Sequence, residues 1–364
     1  MYRRTFLAGV GAAGAAAAST FPAPAISQGI RELKLVTSWP RGFPGLSTSA
    51  DRLARIITES SGGRLQVKVF HAGEMVAALE AFDAVSTGVA DMYHSAEYYW
   101  QGKSPGFSFF CTVPFGFTAN EINAWVYQGG GQELWDELGA KFNLKSLLAC
   151  NTGVQMGGWF GKEVTSIESY RGLRYRMPGM GGEVLRRLGA IVVNLPGGEI
   201  VPALRSGALD ASEWVGPWND LELGLHTAVK LYYYPGFHEP GTALALGINK
   251  GVWDGLPADQ RHLIAAAAAA ENCLSIAEFN AKNTIALDKL VGEHGVQIRK
   301  FEDSILTTLG RVSGEVLAEL SKKDELTRCI YDSYIKFRKT TLRWGDLSER
   351  GYLNARSLKF PYGD

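Results

Sequence analysis

The chain is short of the side chains that most enzymes and transition-metal proteins rely on. In 364 residues it has four cysteines, Cys111, Cys150, Cys273 and Cys329, and six histidines. The cysteines lie far apart, none forms a CxxC pair and no histidine stands at metal spacing. This excludes zinc ribbons and thioredoxin-like redox chemistry, and leaves buried thiols as the expectation. GxSxG, Walker and HExxH motifs are missing, so the common hydrolase, nucleotide and zinc-protease arrangements lack their parts. His94 and His238 have no partner at triad or metal spacing. Neither sign of charge is in excess, since 37 basic residues face 37 acidic ones; no global field gathers nucleic acid or an anionic membrane. Past the N-terminus no run approaches eighteen apolar residues, so no later segment is expected to span a bilayer.

What is present begins with MYRRTFLAGVGAAGAAAASTFPAPA. Arg3 and Arg4 precede Thr5, Phe6 and Leu7. A weakly apolar Ala/Gly run follows, and Ala23 and Ala25 have the spacing of a signal cleavage site. Residues 1–25 are expected to be a twin-arginine-like export signal, which places the mature chain in the periplasm. Its removal takes away two arginines and no acid, leaving a formal charge of −2. Gly9, Gly11 and Gly14 spell GxGxxG, but no strand precedes them, so no dinucleotide site is implied.

A 46% hydrophobic content over this length supports two lobes. LKLVTSW alternates as a strand, a helix is expected over Ser47–Ser60, and RLQVKVF is a second strand. A helix from Glu74 to Ser86 and a strand at Ala90–His94 complete a βαβαβ order, the sign of a parallel sheet. The order returns with strands at Leu173–Met177, Ile191–Asn194 and Leu209–Trp214 and helices near Gly182–Leu188 and Glu199–Ser206. Residues repeat as well: GEMVAAL matches GEIVPAL, and TGVAD matches SGALD. The fold class is therefore α/β, with a cleft between two βαβαβ-type lobes and long C-terminal helices. Lobe 1 is expected over residues 31–150 with a returning segment at about 238–256, lobe 2 over 151–237, and a helical region over 257–364. Within that region Leu326, Ile330, Tyr334 and Phe337 share one helical face, which suits docking on the same lobe or on a second subunit.

Ligands of such sheets sit at the carboxyl ends of strands. Arg176, in GLRYRMPG, is near such an end; an arginine buried there needs an anion, and a ligand carboxylate, an acid of the protein or a surface position all satisfy it. Gln155 lies among three glycines in NTGVQMGGWF and offers a neutral carbonyl oxygen, though the glycines serve a hinge equally well. Glu213 in SEWVGPW and Glu239 in FHEPG fit three readings: oxygen ligands for Na⁺ or Ca²⁺, paired carboxylates of a secreted α/β hydrolase, or exposed loop acids. Tyr98, Tyr99 and Trp214 stand at strand ends, where they can wall a small pocket.

NTGVQMGGWF, GLRYRMPG, DASEWVGP and YYYPGFHEPG together resemble the solute-binding proteins of TRAP transporters, in particular the type that binds 2-oxo acids such as pyruvate. The resemblance spans nearly the whole mature chain, with the motifs in order. It implies a two-lobed periplasmic binding protein fold, no enzymatic activity, and delivery of a small carboxylate to TRAP membrane permease subunits. It assigns Arg176 to the ligand carboxylate, and Gln155, Glu213 and the main-chain oxygen of Trp214 to a Na⁺ or Ca²⁺ that also touches the substrate. Glu239 is an acid of the same site, and Tyr98 or Tyr99 lines it. The family also implies a homodimer through the C-terminal helix. Phe237 and His238 depart from the pattern, which has two tryptophans there.

Overall fold

The computed structural model describes residues 29–362; the expected signal over residues 1–25 lies outside them. In chain order the strands are β1 (Arg31–Thr37), β2 (Leu65–Phe70), β3 (Met92–Ser95), β4 (Leu144–Asn151), β5 (Gly158–Phe160), β6 (Arg174–Arg176), β7 (Ile191–Val193), β8 (Ala211–Ser212), β9 (Leu231–Tyr234), β10 (Ala243–Asn249) and β11 (Gln297–Lys300). They build two sheets, ordered β2-β1-β3-β10-β4 and β11-β9-β5-β8-β6-β7. Each expected βαβαβ unit forms a parallel part, β2-β1-β3 in one and β8-β6-β7 in the other.

The sheets are mixed, where the sequence led to parallel ones. β10 lies antiparallel to both β3 and β4, and β5 antiparallel to both β8 and β9. These strands are reached by direct passage between the lobes, without the crossover helix that a parallel connection requires. All of β10 is buried, and it forms an interior strand of the first lobe, between β3 and β4, although it follows the second lobe in sequence. Gly247 permits this: a Cβ there would lie 2.0 Å from the ring of Tyr93 on β3.

Two boundaries also differ. The helix expected from Glu74 is confined to Ala81–Ser86, because Glu74 closes a turn onto His71, its amide bonded to His71 O and its carboxylate to His71 N. The region 257–364 is not a separate helical unit, since β11 joins the second sheet. The helix Asp303–Leu320 buries Ile305, Leu309, Val312 and Val316 in the second lobe, against Val184 and Leu185. The helix Glu325–Leu347 instead buries Leu326, Ile330 and Tyr334 in the first lobe, among Phe109, Phe117 and Trp125. Phe337 also packs on Phe117 at 5.7 Å, and the apolar side chains emerge only at the end of the helix: Trp344 is 69% and Leu347 80% exposed.

The long helix Ala258–Gly292 joins the lobes. Its Glu271 receives Arg52 of the first lobe at 2.7 Å, and its Asn283 accepts from Trp218 N of the second at 3.0 Å. Ala267 and Ala268 of the alanine run are buried in the first lobe. Of the four cysteines only Cys111 and Cys150 are buried; Cys273 and Cys329 are exposed, and all four are free. Each exposed cysteine follows or precedes a buried residue, Asn272 or Ile330, and one step along a helix turns the side chain by about 100° toward solvent. No helix among the described residues is long and apolar enough to cross a membrane.

Candidate functional site

Among the described residues the chain passes between the sheets three times, and two of those passages carry site residues. Gln155 lies between β4 and β5, and Glu239 between β9 and β10. Arg176 ends β6, Glu213 and Trp214 follow β8, and Tyr98 and Tyr99 stand in the turn after β3. Both lobes and both connections thus contribute side chains at the carboxyl ends of strands. The connections run close together. Gly236 N donates to Gln155 O at 2.9 Å, Gln155 N to Glu239 O at 3.0 Å, and Met156 N to Val215 O at 3.1 Å. Gly236 has no room for a side chain, since a Cβ would sit 2.4 Å from Gln155 O.

Arg176 is wholly buried and pairs with the equally buried Glu213 through Nη1 and Oε1. Its Nε donates to Leu195 O at 3.0 Å, Nη1 also to Glu213 O at 3.3 Å, and Nη2 to Tyr99 Oη at 3.5 Å. The Trp214 ring lies over the guanidinium at 5.1 Å, a cation–π contact in a dry setting. That ring meets Trp39 and Phe43 of the first lobe edge-on at 6.3 and 6.1 Å. Arg174 plays no part here; Asp210 holds it at 2.6 Å. Tyr98 packs edge-to-face on Tyr99 at 4.9 Å.

Burial sets the electrostatics. It pushes Glu213 up to about 7 against the pull of Arg176, and Glu239 up to about 7 with Glu213 adding to the rise. Burial also opposes the charge of Arg176, but Glu213 and the neighbouring tyrosines and Glu239 outweigh it and hold the guanidinium protonated. His238 is driven down to about 4 by burial, with Glu239 pulling the other way. One fixed positive charge therefore faces two carboxyl groups in a single buried cluster.

Among these groups are polar atoms without donors. Gln155 Nε2 donates to Thr152 Oγ1 at 2.9 Å and to Thr242 Oγ1 at 3.1 Å, and Thr242 in turn donates to Glu239 Oε2. Gln155 Oε1 and Glu213 Oε2 are buried with no hydrogen-bond partner. Buried oxygens in native proteins are almost always paired. A neutral carbonyl oxygen and a carboxylate oxygen left free in one small site suit a hard cation such as Na⁺ or Ca²⁺.

A family described as bacterial extracellular solute-binding protein, family 7, matches residues 36–324. The chain belongs to this family. It is 38% identical over 324 residues to a monocarboxylate 2-oxoacid-binding periplasmic protein of Nostoc sp., covering 89% of this chain and 88% of that one. A TRAP periplasmic solute-binding protein from Pseudoalteromonas atlantica, solved with bound sodium and pyruvate, superposes with a TM-score of 0.87 at 37% identity, covering 91% of this chain and all of that one. A TRAP solute-binding protein from Bordetella bronchiseptica superposes with a TM-score of 0.88 at 32% identity, covering 90% of this chain and 97% of that one. That structure is a mixed-occupancy dimer with copurified calcium and picolinate. The family is one of receptors, and the hydrolase reading of Glu213 and Glu239 finds no support in it.

His238 is the residue that reasoning from spacing missed. It is buried, with Nε2 at 3.6 Å from Glu213 Oε2 and 4.0 Å from Glu239 Oε1. Its partner Glu213 comes from another strand, so no local spacing reports the contact; the adjacency of His238 and Glu239 in one loop was the only signal. Thr242, which orients Gln155 from 87 residues away, was missed for the same reason; Thr152, three residues from Gln155, was missed although it is local.

Proposed function

We propose that this protein is the periplasmic receptor of a TRAP transporter that captures a small 2-oxo monocarboxylate such as pyruvate, together with Na⁺ or Ca²⁺, and delivers it to the membrane permease. The carrying observation is the buried Arg176 beside two buried oxygens without donors, Gln155 Oε1 and Glu213 Oε2. Arg176 binds the ligand carboxylate through its planar fork. Gln155, Glu213 and the main-chain oxygen of Trp214 hold the cation, and Glu239 and the two tyrosines close the pocket, Tyr99 from beside Arg176. The cation supplies positive charge that keeps Glu213 ionised while Arg176 serves the ligand. The Trp214 ring has a second task, to cover the guanidinium and exclude water from it. Support comes from the ligands of the Nostoc, Pseudoalteromonas and Bordetella proteins.

A ligand of about six heavy atoms, at a ceiling near −1.5 kcal/mol per atom, gains at most about −9 kcal/mol, a Kd of about 0.1–1 μM. Such affinity requires full use of Arg176 and the cation. The receptor is a dimer, built on the exposed apolar side chains Trp344, Leu347, Tyr352 and Leu358 that emerge past the docked half of the C-terminal helix.

Thermal melting tests the proposal. With pyruvate at about 100 times its Kd, and only with Na⁺ or Ca²⁺ also present, the protein gains about 2.7 kcal/mol of stability. No shift with any small 2-oxo or 2-hydroxy acid in any cation overturns it, as does turnover of the ligand to a product.

A further inference from the structure

Resting on the receptor reading above, we propose that Glu213, His238 and Glu239 form a mixed nitrogen–oxygen site for a transition-metal dication such as Zn²⁺, so that this receptor prefers such an ion to Na⁺ or Ca²⁺. Three observations carry this. One donor atom from each residue lies within 4.8 Å of the other two, and all three residues are buried. His238 is 1% exposed, yet neither ring nitrogen has a hydrogen-bond partner. An imidazole enclosed in protein ordinarily binds through at least one nitrogen, so this ring is held for something else. Lastly, Nε2 faces the free oxygen of Glu213 at 3.6 Å and an oxygen of Glu239 at 4.0 Å. Ligands at about 2.1 Å from a tetrahedral metal stand about 3.4 Å apart; the ring nitrogen is already within about 0.6 Å of that spacing from each oxygen, and the two carboxylate oxygens, within 4.8 Å of each other, draw together by at most about 1.4 Å to share one ion.

The fold holds the ring in this position. Gly181, on the helix after β6, lies so close that a Cβ there would be 2.7 Å from His238 Cβ. The Phe237 ring packs against the imidazole at 5.3 Å. Thr242 holds the other oxygen of Glu239 and Arg176 the other oxygen of Glu213, which orients both carboxylates toward the ring.

Chemistry then selects the ion. An all-oxygen set suits hard cations, whereas an imidazole nitrogen adds a strong bond to Zn²⁺ and almost none to Na⁺ or Ca²⁺. Charge excludes only Na⁺: with Arg176 at +1, two ionised glutamates and one monocarboxylate, the balance is −2, which any dication cancels, so the imidazole nitrogen is what separates Zn²⁺ from Ca²⁺. Glu213 belongs to both donor sets, so the same ion can add Gln155 Oε1 or the ligand's own oxygens to complete its shell.

The test uses full-length mature protein stripped with chelator. Calorimetric competition between Zn²⁺ and Ca²⁺ is measured on the wild type and on His238→Gln and His238→Phe, and the visible spectrum of the Co²⁺-loaded forms is recorded. The wild type binds one Zn²⁺ more tightly than Ca²⁺, and both variants lower the Zn²⁺-over-Ca²⁺ preference at least about tenfold. Co²⁺ gives the intense bands of a low-coordinate, nitrogen-bound ion in the wild type and weak bands in the variants. Equal preference in all three proteins, or a Co²⁺ spectrum unchanged by loss of the imidazole, overturns the inference. In that event a pyruvate-induced melting shift in Ca²⁺ or Na⁺ leaves the receptor reading standing. No pyruvate response in any cation removes that reading instead.

Discussion

Replacing Arg176 with methionine removes the guanidinium and keeps most of the stem. In the native chain Arg176 and Glu213 are both wholly buried and paired, and two further acceptors, Leu195 O and Glu213 O, depend on the same side chain. Removing one partner of a buried pair costs about 3–5 kcal/mol, because the other charge stays behind without compensation. Here the remaining carboxylate also faces Glu239. Glu213 has an escape, which is to take up a proton. It already stands at about 7 with Arg176 pulling it down, so loss of Arg176 moves it further up. A carboxyl raised in the folded state is stabilising only when protonated. Its contribution is fully present below the unfolded value near 4.5 and is lost as pH rises through the folded one.

The defect of Arg176→Met is therefore small at pH 5, where the lost hydrogen bonds to Leu195 O and Glu213 O remain as about 1–2 kcal/mol. It approaches 3–5 kcal/mol at pH 8. Adding Glu213→Leu restores most of the loss at pH 8, since an apolar pair of similar volume replaces a buried ion pair at little cost. Urea denaturation of the four proteins of this cycle at both pH values measures the coupling. A single variant within about 1 kcal/mol of wild type at pH 8, or a double variant no better than the single, would refute the reasoning. Pyruvate added with Ca²⁺ should not raise the melting temperature of Arg176→Met, and a normal shift would mean that another group anchors the carboxylate.

Two other expectations address the periphery. Deleting residues 344–364 keeps Leu326, Ile330 and Tyr334 in the first lobe while removing Trp344, Leu347 and Tyr352; light scattering should report a folded monomer, and a persisting dimer places the contact elsewhere. His94 is buried, accepts from Trp39 Nε1 at 3.1 Å and is pushed by burial down to about 3. Its stability contribution is present above 6.5 and lost as pH falls toward 3, about 2 kcal/mol between pH 7 and 5. His94→Gln should remove that share of the pH dependence in denaturant melts, and an unchanged pH slope counts against it.

Much of the site was legible because strand ends carry it. Arg176 closes β6, Glu213 follows β8, and Tyr98 follows β3, all in segments whose alternation or repeat marks them as strands. Less legible were elements whose pattern carries no period. β4 is mostly buried, and β5 is only three residues long, so alternation does not distinguish them. The antiparallel course of β5 and β10 follows from which lobe each strand enters, a tertiary property. His238 was hidden for a related reason: its significance lies in Glu213, a residue distant along the chain that the second sheet brings to 3.6 Å.

On the proposed reading, the Arg176–Glu213 pair also gives a reason for ligand and cation to bind together. Arg176 can release Glu213 only if another anion takes its place, and Glu213 can leave Arg176 only if another positive charge meets it. A carboxylate arriving alone would strand Glu213, buried and beside Glu239; a positive charge arriving alone would strand Arg176 in the same dry setting. At pH 8 each stranding carries a penalty of about 3–5 kcal/mol, and simultaneous exchange of partners carries neither. Coupling of this origin is reciprocal, so whatever factor the cation adds to carboxylate affinity, the carboxylate adds to cation affinity. Gln155 and Glu239, on the connections between the lobes, place that exchange where the two halves of the molecule meet, so that satisfying the buried charges and holding the lobes together become the same event.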